Sequence, residues 1–241
     1  MSKFKAVFFD LDGTLWDSAA CAGQAMDVVV ERLEPILPDE EPADLALRFN
    51  AALLGQVVEA GLARRVAVGR RRRFEMLLEG YGIHDDGLAR ELEATFNRAL
   101  RMTMLSFVRE GVPELLRRLR TMELKLGVIT NGIPLLRRQA IGALGLADLV
   151  DHCVIGGAEG YSKPDARLFE RAMELAGTAA SETLYVGDSL ITDVVGASRA
   201  GMPVAWLRAE GDEPAEDLPQ PDYMIEDLRE VLEIVGARAD G

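Results

Sequence analysis

Asp10 and Asp12 stand two positions apart, at the end of an apolar run and ahead of Gly13-Thr14. Asp188, in Gly187-Asp188-Ser189, closes another such run, and Asp193 follows five residues later. Between these pairs come Thr130-Asn131-Gly132 and Ser162-Lys163-Pro164, each after an apolar run of its own. If the runs are parallel strands of an open α/β sheet, their carboxyl ends share the edge where such sheets bind ligands. Four carboxylates, one lysine and one hydroxyl then meet there. Carboxylates so crowded repel one another and need a cation. Hard oxygen donors without histidine or thiol select Mg2+. The plainer alternatives are turn or cap residues at strand ends. Asp193, near the start of a helix, has the spacing of a cap, and Thr130 could simply end its strand. Lys163 is the lysine placed for chemistry. Lys3, Lys5 and Lys125 all precede the apolar cores of their strands, at the opposite end.

The elements that must position these residues are legible as alternation. Residues 5–10, 125–130, 152–156, 183–187, 203–207 and 223–225 are short apolar runs rich in β-branched and aromatic side chains. They suit strands buried on both faces. Helical patterns fall at 112–121, 134–144, 165–176, 193–200 and 227–236. Strand–helix alternation with right-handed crossovers predicts an α/β fold with a doubly wound, mainly parallel sheet. Residues 17–105 break the rhythm and contain no convincing strand. Met26, Val29, Val30 and Leu33 recur at helical spacing, as do Leu45, Phe49, Leu53 and Val57. Phe74, Leu77, Leu78 and Tyr81 do so again, then Leu88, Leu92, Phe96 and Leu100. This predicts a four-helix insertion after the first strand.

FFDLDGTLWDS, VITNG, SKPDARLF and YVGDSLITDVVGA, in this order, resemble the four motifs of the haloacid dehalogenase-like phosphatases. The resemblance covers residues 4–16 and 106–236, and all four motifs together make it specific. It implies a Rossmann-like catalytic core, residues 1–16 and 106–241, with an α-helical cap, residues 17–105. Asp10 would attack phosphorus and become an aspartyl-phosphate. Asp12 would protonate the leaving oxygen and then deprotonate the attacking water, and its carbonyl would bind the metal. Thr130 and Asn131 would hold a phosphoryl oxygen. Lys163 would neutralise nucleophile and phosphate together. Asp10 and Asp188 would ligate Mg2+, and Asp193 would hold a metal-bound water or orient Lys163. Gly13 would serve the turn, and Gly187 close approach to the metal. The segments VITNGIPLLRRQAI and GDSLITDVVGASRAGMP lean toward the nucleotidase and N-acylneuraminate-9-phosphatase group.

The cap would close over the site, with hinges near Leu15–Asp17 and Leu105–Glu110. Trp16 sits at the first hinge, to touch substrate or to pack. In the basic run Arg64–Arg73, Arg70 falls inside the apolar arc of its helix, so its charge must be paired or directed to a cavity. It is a candidate contact for the leaving group; a salt bridge within the cap is the alternative. The implied function is Mg2+-dependent hydrolysis of a small phosphorylated metabolite. The alternatives are a phosphosugar mutase of the β-phosphoglucomutase type and a non-catalytic phosphate-ligand-binding protein. Asp12 argues against dehalogenation, and a cap without lysine argues against Schiff-base chemistry.

The 241-residue chain carries a formal charge of -13, which argues against nucleic-acid binding. No apolar run reaches membrane-span length. No signal peptide is apparent, and Cys21 and Cys153 suit reduced thiols, so a cytoplasmic location is expected. His84 and His152 belong to no metal or nucleophile pattern. No residue pattern speaks to oligomeric state.

Overall fold

The computed structural model describes residues 3–59 and 69–236. The side chains of Leu53 and Val57, and all of Arg64, Arg65 and Val66, lie outside the described residues. In chain order, β1 (Ala6–Phe9) is followed by four helices: α1 (Ser18–Leu33), α2 (Pro42–Glu59), α3 (Arg70–Glu79) and α4 (Asp86–Thr103). A 3-10 turn, Met104–Phe107, leads to α5 (Val112–Thr121), β2 (Lys125–Thr130) and α6 (Pro134–Ala143). Next come β3 (His152–Ile155), α7 (Gly156–Glu159), α8 (Ala166–Ala176) and β4 (Thr183–Gly187). A π-helical turn, Leu190–Val194, runs into α9 (Val195–Arg199). β5 (Val204–Leu207), β6 (Tyr223–Ile225) and α10 (Val231–Gly236) complete the described chain.

The six strands form one sheet in the order β3-β2-β1-β4-β5-β6, and every pair is parallel. This is the doubly wound α/β sheet expected from the alternating pattern. Parallel strands covered by helices are buried on both faces; β1, β4 and β5 are buried at every residue. The strand order reverses around β1 and β4, which opens a crevice at their carboxyl ends. Phe9 is level with Val128 of β2 and with Val186 of β4, so the loops carrying chemistry start together.

Several boundaries differ from the sequence pattern. β3 stops at Ile155 because Gly156 opens the short helix α7. Asp165 stays outside α8 as its cap, its side chain accepting from the Arg167 N–H. The helix expected at 193–200 begins earlier, through the π turn. That turn places Asp193 one turn inside the helix rather than at its cap.

The chain packs as two compact units, residues 1–18 with 105–241, and residues 19–104. In the first, the segments that leave and re-enter it pair with each other. Trp16 bridges Val108, the Asp17 N–H donates to the Phe107 carbonyl at 2.8 Å, and the Arg109 N–H donates to the Leu15 carbonyl at 3.1 Å. In the second, the rings of Phe49, Phe74 and Phe96 pack in tilted and edge-on pairs, with centroids 4.4 to 6.1 Å apart. Met26, Val29, Leu33, Leu45, Leu77, Leu78 and Leu92 pack around them. Burying each such side chain contributes about 1.5–3 kcal/mol. Among the described residues no helix is long and apolar enough to cross a membrane.

Candidate active site

The crevice at the carboxyl ends of β1 and β4 gathers Asp10, Lys163, Asp188, Asp193 and Tyr185. Asp10 follows β1 directly and is 7% exposed. Lys163 reaches it from the loop between α7 and α8. Its Nζ lies 2.5 Å from Asp10 Oδ1 and 2.6 Å from Asp193 Oδ1, and donates to the Tyr185 hydroxyl at 3.0 Å. The Tyr185 hydroxyl in turn donates to Asp193 Oδ1 at 2.9 Å. The other oxygen of Asp193 accepts the Ser189 N–H at 3.0 Å. The π turn thus aims Asp193 back at the crevice with both oxygens occupied.

Asp188 lies just beyond β4. Its Oδ1 accepts the Thr14 hydroxyl at 2.9 Å, and its carbonyl accepts the Trp206 indole N–H at 2.8 Å. Gly13 has φ +87°, and a Cβ there would come 2.4 Å from Asp188 Oδ2. The turn after Asp12 therefore requires glycine. Gly187 is required for a different neighbour than expected. A Cβ there would lie 2.5 Å from Cγ of Asp193, so the space it clears belongs to that carboxylate.

Thr130 ends β2 almost fully buried, its hydroxyl donating to the Asn131 carbonyl at 3.3 Å. The Asn131 side chain is a strut between loops. Its Oδ1 accepts the Lys163 N–H at 2.8 Å, and its Nδ2 donates to the Lys163 carbonyl at 3.2 Å. Asp12 is partly exposed. Its carboxylate pairs with Arg137 at 2.7 Å and accepts the Trp16 indole N–H at 3.2 Å. Trp16 is 3% exposed, so its ring packs while its N–H serves Asp12.

Arg70 lies in the helical unit. Its guanidinium sits 4.9 Å over the Phe96 ring and donates to the Asn97 side chain. Its neighbours divide the remaining charge. Arg71 pairs with Glu75, and Arg72 with Glu75 and Glu79. Arg73 stacks on Phe49 and donates to the Phe49 carbonyl.

Burial pushes the Asp10 carboxyl up to about 7, against the opposing pull of the Lys163 ammonium; Asp193 and Asp12 push it further up. Asp188 is also raised by burial, with Thr14 opposing. Burial by itself would discharge Lys163, but the carboxylates of Asp10 and Asp193 outweigh it and raise its pKa. Ligand oxygens of Asp10, Asp188 and Asp193 lie within 4.8 Å of one another. Counted as ionised, these three carboxylates outweigh the one ammonium and leave the site negative. The donors are hard oxygens, so the site fits Mg2+. Of the three, Asp193 is the most engaged, by Lys163 and Tyr185 at Oδ1 and by Ser189 at Oδ2, so Asp10 and Asp188 are the better candidates to hold the cation.

Three participants lay beyond the sequence reading. Tyr185 sits inside an apolar strand and reads as core. Arg137 belongs to an ordinary amphipathic helix, with no local signal. Thr14 lies within the quoted first motif, and only the fold brings it to Asp188.

Residues 4–201 match the family model described as haloacid dehalogenase-like hydrolase. The chain is 29% identical to glyceraldehyde 3-phosphate phosphatase of Pyrococcus furiosus, over 98% of its own length and 94% of that protein's. It is 28% identical to N-acylneuraminate-9-phosphatase of Rattus norvegicus, over 96% of its length and 93% of that protein's. The solved structure of the HAD-hydrolase YfnB from Bacillus subtilis, bound to magnesium, is similar with a TM-score of 0.76. That likeness covers 97% of this chain and 99% of the other at 24% identity, and it speaks for the fold. With the family model spanning most of the chain, the parallel sheet beneath the carboxylates and the full-length relatives in agreement, this protein is an enzyme of the haloacid dehalogenase-like hydrolase family.

Proposed function

We propose that this hydrolase is a Mg2+-dependent phosphatase that cleaves a small phosphomonoester through an aspartyl-phosphate on Asp10. The observation that carries the reading is the buried contact of Lys163 with Asp10 and Asp193, beside carboxylate oxygens of Asp10 and Asp188 that lie within 4.8 Å of one another. A carboxylate there attacks phosphorus, which splits one hard displacement into two easier ones. Lys163 holds the charge of Asp10 and of the incoming phosphoryl group together, and Asp193 and Tyr185 fix the ammonium. Thr130 offers its hydroxyl to a phosphoryl oxygen, and Asn131 keeps the Lys163 loop in register with it. Asp12 gives a proton to the leaving oxygen and takes one from the attacking water. Mg2+, held by Asp10, Asp188 and the Asp12 carbonyl, would supply charge neutralisation and in-line alignment of the phosphate.

Both relatives described above are named for a small phosphorylated metabolite, which supports a substrate of that class. The helical unit is the cap in this reading. The test is phosphate release from a panel of phosphomonoesters with and without Mg2+, beside Asp10→Asn as background. Mg2+-dependent release at least a thousandfold above that variant is expected. Release equal in the two proteins, or isomerised sugar phosphate as the sole product, would defeat the proposal.

A further inference from the structure

Arg137 completes the first turn of α6, its backbone N–H donating to the Ile133 carbonyl at 3.0 Å. Helical side chains lean toward the N-terminus of their helix. That lean carries the guanidinium back over the loop after β2. There its Nε donates to the Asn131 carbonyl at 2.8 Å. Its Nη1 lies 2.7 Å from Oδ2 of Asp12 and 2.9 Å from Oδ1. The Trp16 indole N–H reaches the same Oδ1 from the other segment. The Asp12 carboxylate is therefore gripped by two donors from distant parts of the chain. Gly132 makes the room, since a Cβ there would sit 2.8 Å from Arg137 Nε.

Both side chains of this ion pair are 28% exposed. A pair so open to water adds little to folding. A planar fork anchored at both ends does something else well: it fixes direction. We propose that Arg137 is a positioning residue for proton transfer by Asp12, coupling that carboxylate to the loop of Thr130 and Asn131. The proposal rests on Asp12 being the acid–base group. In the first step the bond from phosphorus to the leaving oxygen breaks and the bond to Asp10 forms. The proton on Asp12 goes to the leaving oxygen. In the second step the water oxygen bonds to phosphorus, the Asp10–phosphorus bond breaks, and a water proton goes to Asp12. Two groups must therefore keep their relative placement through both steps: the carboxylate that moves the proton and the loop that holds the phosphoryl group.

An acid matters most when the leaving oxygen is strongly basic. Glycerol 2-phosphate has such an oxygen, whereas p-nitrophenolate departs without a proton. The value of kcat/KM reports the steps through release of the leaving group. It is measured for both substrates in the wild type, Asp12→Ala, Arg137→Met, Arg137→Lys and Trp16→Phe, with Mg2+ present and unaltered far-ultraviolet circular dichroism. General-acid catalysis contributes roughly 10²–10⁴-fold. Asp12→Ala should lose about that much on glycerol 2-phosphate and far less on p-nitrophenyl phosphate. Arg137→Met should lose about 10–100-fold on the alkyl ester and under about threefold on the aryl ester. Arg137→Lys and Trp16→Phe should fall between it and the wild type. If Arg137→Met lowers both substrates by one factor, or neither, while Asp12→Ala is selective, positioning by Arg137 is overturned and the Asp12 reading survives. If Asp12→Ala is itself unselective, that reading fails and the proposal with it.

Discussion

Lys163 meets Asp10, Asp193 and Tyr185 within 3.0 Å, and each contact limits what the others can do. A buried ammonium with two carboxylates stays charged, and the Tyr185 hydroxyl accepts a further hydrogen bond from it. Asp193, saturated by Lys163, Tyr185 and Ser189, is left to orient the lysine. Gly187→Ala probes this arrangement without removing a polar group. The added Cβ would press on Cγ of Asp193 from 2.5 Å. The variant should lose about 1–3 kcal/mol of stability by overpacking and at least about tenfold in kcat as the lysine shifts. Urea denaturation with phosphate-release kinetics checks both, and wild-type values for both would show that the space is not needed. The sequence exposed the aspartates and the lysine, because strand-end motifs are local. It hid Arg137, whose partner Asp12 lies 125 positions away. It also hid Tyr185, whose hydroxyl emerges only when strand and loop are brought together. Contacts of that kind have no period and no spacing to betray them.

Helices and strands were more legible than their ends. The limits of β2, β4 and β6 coincide with the apolar runs, because a strand buried on both faces must be apolar throughout. The short α7 and the π turn escaped, since four or five residues hold too few apolar positions to show a periodicity. Caps are local and carry their own prediction. Asp165 at α8, and Asp227 ahead of the 3-10 turn Leu228–Glu230, each accept a backbone N–H and an arginine two residues on. Side-chain hydrogen bonds from Arg167 and Arg229 hold these two carboxyls down at about 2, below the ordinary 3.8. Depressed values mean that the ionised forms favour the fold. Their contribution is complete above the ordinary value and is lost as pH falls from about 4 toward 2. The double variant Asp165→Ala, Asp227→Ala should be less stable than wild type by about 1 kcal/mol per cap at pH 6. That gap should narrow between pH 4 and 2, as read by urea midpoints. A gap constant across the range would mean that the ionised carboxylates contribute nothing.

For the whole molecule, the carboxylates of Asp10, Asp188 and Asp193 crowd one another, and a divalent cation held among them, as proposed, would relieve their repulsion. A ligand that binds the native state alone stabilises it by mass action, about 2.7 kcal/mol at a hundred times its Kd. Saturating Mg2+ should therefore raise Tm by several degrees, and EDTA should reverse the shift. Asp188→Asn should abolish the gain while leaving the apo Tm equal to or above that of the wild type, since one repelling charge is gone. An undiminished Mg2+ shift in that variant, followed by scanning calorimetry, would place the cation elsewhere. The block of helical periodicity between the first two strands falls within the second compact unit, residues 19–104.

The pairing of Leu15–Asp17 with Phe107–Arg109 fixes where the polypeptide departs from the sheet-bearing unit and where it comes back. Departure and return are neighbours, so the length of the excursion is of little concern to the strands. Lengthening such a detour is entropically inexpensive, because closure entropy grows only with the logarithm of its length. The roughly 86 residues between are in effect a plug-in, open to exchange for a foreign bundle while the clustered carboxylates keep their register. A lineage can thus exchange the helical unit without rebuilding the parallel sheet or the strand-end loops.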